Sequence, residues 1–121
     1  MRNSLNILSI LAASFAHPIT GIFVTRMGQA HAQFFMELNV KLSVVSQAAV
    51  PYAESGAPVA VGLVLGLATL VGLGLVFRSE KHRWLLPFLL SVSFVLVILH
   101  ITFVWIGVNV PLLHMVPTMG E

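Results

Sequence analysis

The sequence predicts an all-α polytopic membrane protein with three transmembrane helices and an amphipathic helix between the first and second. Three observations predict it. Apolar residues make up 58% of the 121 residues and charged ones 8%, against roughly a quarter charged in an ordinary soluble domain. A mean hydropathy of +0.99 leaves too little polar surface to coat a globule of this size, so lipid must take up the excess. Two uncharged runs are long enough to cross a hydrocarbon core, and a short basic link joins them.

The first span is expected over residues 5–24, where Asn6, Ser9, Ser14, His17 and Thr20 dilute the apolar run and Pro18 should kink it. A cleaved secretory signal is the rival for this segment. Arg2 leads a short apolar core, and Ser14-Phe15-Ala16 puts small residues where a peptidase cuts. A retained helix agrees with the charges, with Arg2 on the inner side and Arg26 on the outer. Residues 29–52 then carry Phe35, Leu38, Leu42, Val45 and Ala49 at three- and four-residue steps, which makes one helix face apolar. Gln33, Glu37, Lys41 and Gln47 fall away from that stripe, and Glu37 stands four residues before Lys41, the favourable order for an ion pair. Such a helix lies on the outer membrane surface or covers the bundle, with Phe34 and Phe35 as bulky anchors.

The second span, residues 59–77, is opened by Pro58 and closed by Arg78, a cation beside the carbonyl end of the helix. Within it Gly62 and Gly66 form a GxxxG, and Ala68, Gly72 and Gly74 extend a small-residue surface suited to close helix packing, in this bundle or against a partner. The third span, residues 84–108, sets Trp84 and Trp105 about 31 Å apart along a helix, the spacing of an interfacial aromatic belt. Packing against neighbouring helices is the other use of two such tryptophans. The link between these spans is too short for anything but an antiparallel hairpin. Its Arg78, Lys81 and Arg83 place it on the cytoplasmic side of a bacterial inner membrane, with the N-terminus inside and the C-terminus outside. An irregular outer tail is expected from Pro111 onward.

Composition also removes function classes. With no cysteine there are no disulfides, thiolate metal sites or cysteine nucleophiles. The net charge of +2 gathers into no stripe, so nucleic acid is not an expected partner. Glu37, Glu54, Glu80 and Glu121 are scattered outside the spans, which argues against a catalytic centre and against a proton-coupled transporter. No phosphate-cradling glycine loop and no pair of metal histidines one turn apart is present. His82 sits in the basic link and is expected to be solvated.

His17 and His100 are different, because an ionisable group within an apolar span is a functional candidate by default. They fall at similar depth on neighbouring helices, and together they could ligate a b-type haem from both faces. The alternative is that each imidazole hydrogen-bonds a backbone carbonyl or a serine on the adjacent helix. A second set, Met27, His31 and Met36 with His114, Met115 and Met119, collects thioether and imidazole groups on the outer side. Those groups suit cuprous copper, although the spacing matches no metal motif and methionine more commonly fills gaps in packing.

Two phrases carry a family likeness. Phe35-Met36-Glu37-Leu38-Asn39-Val40-Lys41-Leu42 after the first span, and Val110-Pro111-Leu112-Leu113-His114-Met115 after the last, resemble corresponding stretches of the inner-membrane platform proteins of type II secretion and type IV pili, the F/C family. The likeness runs loosely from Ala16 to Met115. It departs at Leu42-Ser43, where the family has Leu-Pro followed by Thr, and in a longer outer stretch. The short inner link also has no room for the cytoplasmic helical domains with which that family meets its assembly ATPase. What the resemblance implies is therefore the membrane part alone, in an accessory or scaffold role. The leading expectation is a small non-catalytic subunit that packs by its helices against other integral membrane proteins of a larger complex; a haem b electron-transfer subunit is the alternative.

Overall fold

The structure, a computed structural model, describes the backbone of residues 2–39 and 41–119 and the side chains through residue 111. In order the chain forms α1 (Arg2–Leu38), α2 (Val44–Glu54), α3 (Ala57–Arg78), one 3-10 turn (Arg83–Leu85) and α4 (Leu86–Met119), with no strand among the described residues. Three of these stretches, Arg2–Leu38, Ala57–Arg78 and Arg83–Pro111, are long and apolar enough to cross a membrane.

The first helix differs most from expectation. Rather than stopping near residue 24, α1 continues through Pro18 and on to Leu38, so the amphipathic helix expected over residues 29–52 is two separate pieces. The break has a local cause. Asn39 takes a left-handed backbone (φ 50°), which asparagine tolerates better than most residues, and its N–H turns back to the Met36 carbonyl. Ser43 then starts α2 in an extended conformation, its Oγ accepting from the Ser46 N–H at 3.2 Å.

This break also removes the expected Glu37–Lys41 pairing across one turn. Glu37 instead accepts from the Gln33 side chain one turn earlier, at 3.2 Å. The apolar stripe changes with it. Leu38 and Val45 are exposed, while α2 buries Ser46, Ala49, Val50 and Ala53, a face of mostly small residues.

Gly56, with φ +81°, turns the chain from α2 into α3, and Pro58 occupies the first turn of α3, where a missing N–H costs little. At the other end of α3 the link is tight, as its length requires. The Arg83 Nε donates to the Phe77 carbonyl at 3.1 Å while its guanidinium lies 5.0 Å from the Phe77 ring centre, and Ser79 Oγ pairs with His82 Nδ1 at 2.9 Å. Beyond residue 108 the irregular tail does not materialise, since α4 remains helical through Pro111 to Met119. Val110, Leu112, Leu113 and Val116 prolong the apolar run there, and each proline removes only one N–H.

α1 lies at the centre, packed along α3 and also against α2 and α4; α3 and α4, although joined by the hairpin, touch little. Two apolar clusters hold the assembly. At the hairpin end Ile10 and Ala13 of α1 meet Leu73 and Leu86. At the far end Val24, Ala32 and Phe35 of α1 meet Val50 and Ala53 of α2 and Val104 and Val108 of α4.

Candidate functional site

Between the two apolar clusters lies a polar layer built from three helices. His17 projects from α1 and is 1% exposed, and its Nε2 shares a hydrogen bond of 2.9 Å with Ser93 Oγ on α4. Seven residues further along α4, and so two turns on along the same face, stands His100. Its Nε2 shares a hydrogen bond of 2.8 Å with the hydroxyl of Tyr52 on α2. The two rings are tilted with centres 5.8 Å apart, and Phe103 meets the Tyr52 ring edge-on at 6.1 Å. The Nδ1 atoms of His17 and His100 are each buried without a hydrogen-bond partner.

His17 is fixed from behind as well. A Cβ placed on Gly62 would lie 2.5 Å from the His17 carbonyl oxygen, so only glycine lets α3 come this close. One turn along, a Cβ on Gly66 would lie 2.6 Å from the Ser14 carbonyl oxygen. That carbonyl is the one whose helical donor Pro18 has removed, and the glycine backbone of α3 covers it. Gly21 faces the Pro58 carbonyl in the same seam; Gly28 faces Ala53, and Gly107 faces Ala49. The small-residue surface therefore divides. Gly62 and Gly66 pack inside the bundle, whereas Gly72 and Gly74 have open space where a Cβ would go.

The histidine pair does not fit a haem in this arrangement. Each Nε2 is engaged by a hydroxyl, and a porphyrin between the rings would have to part α1 from α4 and break both hydrogen bonds. Among the described residues the methionine and histidine set is not gathered either. His31 Nδ1 is hydrogen-bonded to the Met27 carbonyl at 2.8 Å, the Met27 side chain packs on the far-end cluster, and Met36 is exposed. Among the described residues no three His, Asp or Glu side chains come together as a metal site. The side chains of His114, Met115 and Met119 lie outside the described residues.

Trp84 and Trp105 are both on the outside of the bundle, 75% and 55% exposed, and Arg78, Lys81 and Arg83 are exposed at the hairpin end. Tyr52 and Ser93 are the members of the polar layer that sequence reasoning missed. Ser93 had a signal, its seven-residue spacing from His100; Tyr52 had none, because its place depends on where α1 breaks. Because α3 and α4 diverge from the hairpin, a groove of about 360 Å³ opens between them, walled by Leu65, Ala68, Thr69, Gly72, Leu73 and Val76 of α3 and by Leu89, Val92 and Leu96 of α4. Ser93, the partner of His17, also lines it.

No family model matches the chain, no curated protein matches it, and no solved structure matches it. The likeness to the secretion and pilus platform proteins thus stands on its two short phrases alone.

Proposed function

We propose that this chain is a small non-catalytic subunit of a larger membrane assembly, seated in a bacterial inner membrane with its basic hairpin in the cytoplasm and its C-terminus outside, and that it acts by offering helix surfaces to other integral membrane proteins. The observation that carries this reading is the groove between α3 and α4. Its α3 wall sets the small residues Ala68, Thr69 and Gly72 among Leu65, Leu73 and Val76, and nothing lies within 4 Å of where a Cβ on Gly72 would stand. In lipid, helices associate through van der Waals contact and short polar contacts, both of which need close backbone approach. A wall of this kind admits another apolar helix, and Thr69 offers a hydroxyl to it. The internal polar groups serve the bundle itself, since His17 and His100 each tie α4 to a different helix.

Purification from native membranes in mild detergent tests the reading. Companions are expected at constant stoichiometry, and Gly72→Leu, which extends a bulky side chain into the groove from a position where a Cβ meets open space, should release them. Recovery of the unsubstituted chain as a lone monomer would overturn the proposal. Cysteine placed in the hairpin at Ser79 tests the orientation, because labelling of intact cells by a membrane-impermeant thiol reagent would reverse it.

A further inference from the structure

We infer that the groove between α1 and α3 at the hairpin end holds an acyl chain of an anionic phospholipid, with its phosphate between Arg2 and Arg78; the inference rests on the membrane placement proposed above. The register of the two helices leads to it. Gly21 faces Pro58, Gly62 faces His17 and Pro18, and Gly66 faces Ser14 and Pro18, so each step up α1 is matched by a step down α3. The same antiparallel register brings Leu70 level with Ile10, Gly74 with Asn6 and Arg78 with Arg2. Ile10 and Leu70 do line a common groove of about 300 Å³, together with Ile7, Leu11, Gly74 and Arg78.

Gly74 plays the opposite part to Gly62 and Gly66. No atom lies within 4 Å of where its Cβ would be, so the glycine leaves a hollow rather than admitting a helix. The hollow is apolar along its length and has a guanidinium at its mouth. Charge at this end is one-sided, with Arg2, Arg78, Lys81 and Arg83 against Glu80. Arg83 is occupied with the Phe77 carbonyl and ring, whereas Arg78 belongs to the groove. An apolar slot ending in two cations at one level matches a fatty chain joined to an anion. A zwitterionic lipid brings its own cation to the same place, and free phosphate has nothing to lay in the slot. Basic pockets between helices on the cytoplasmic side recognise anionic head groups in this way.

The test is lipid retention by the full chain, purified from bilayers of equal phosphatidylglycerol and phosphatidylcholine and read by native mass spectrometry. The unsubstituted protein should keep phosphatidylglycerol in preference. Replacing both Arg2→Gln and Arg78→Gln should cut that preference by about thirtyfold, at roughly a factor of five per cation. Gly74→Leu keeps every charge and fills the slot, and it should lower retention of both lipids. Helical circular dichroism and a monodisperse elution profile confirm that each variant is folded. Equal retention of the two lipids by the unsubstituted chain, or an unchanged preference in the doubly substituted one, would overturn the inference while leaving the membrane reading in place. Failure of the chain to stay with membranes after carbonate washing would overturn both.

Discussion

His17 on α1 and Ser93 on α4 meet at 2.9 Å in a layer otherwise closed above and below by apolar side chains. A hydrogen bond between helices in lipid is worth less than its isolation suggests, because an unfolded chain in the membrane also finds partners. A double-mutant cycle with His17→Leu and Ser93→Ala should give a coupling of about 0.6 to 1.7 kcal/mol. Reversible unfolding in mixed micelles measures it, and a coupling of zero would show that the contact adds nothing to the bundle.

The two halves of the glycine surface should respond unequally to the same change. At Gly62 or Gly66 an added methyl group meets a backbone carbonyl, which cannot rotate away, so alanine should cost about 1 to 3 kcal/mol. At Gly72 the methyl group enters open space, and alanine should change stability by no more than about 0.5 kcal/mol in the isolated chain. Unfolding of the three variants in one detergent decides it. Equal losses at Gly62 and Gly72 would contradict the seam between α1 and α3.

Tyr52 is the only tyrosine, so its ionisation can be followed by ultraviolet absorbance without interference. Burial in α2 pushes its phenol up from the usual 10.0. Above pH 10 the unfolded chain releases a proton that the folded chain keeps, so stability should fall as pH rises through that range. Tyr52→Phe should remove this dependence. Tyrosinate appearing at the ordinary pH in the folded protein would show that Tyr52 is not packed against His100.

The break between α1 and α2 should be separable into its two causes. Asn39→Gly suits the left-handed backbone and should be neutral or mildly stabilising, whereas Asn39→Val should cost about 1 to 2 kcal/mol. Ser43→Ala removes the first-turn acceptor of α2 and should cost about 1 kcal/mol. Amide hydrogen exchange in α2 reads both effects. If Asn39→Val leaves exchange unchanged, the turn is not what sets the place of α2.

The three helices long and apolar enough to cross a membrane were legible because an uncharged apolar run of that length has few other uses, and the hairpin followed from the shortness of residues 78–83. What could not be read was where helices stop. Asn39 ends α1 through one backbone angle that leaves no trace in periodicity, and the apolar spacing ran on across the break as if nothing happened. The misplaced stripe, the lost Glu37–Lys41 pairing and the missing Tyr52 all descend from that one residue. The glycines were recognised as a packing surface, but spacing alone does not tell which of them face a helix. That depends on α1 lying between α3 and α4, an arrangement no local pattern in residues 59–77 records.

α1 has 37 residues and α4 has 34, lengths of about 55 and 51 Å, against the 30 Å or so of an oily bilayer interior. Both begin near the hairpin, so the surplus of each collects at the opposite end, where α2 braces it through Phe35, Val50 and Val108. Set across such a layer as proposed above, the two helices would stand some 20 Å proud of it on the side where α2 packs, a rigid post in place of a loop.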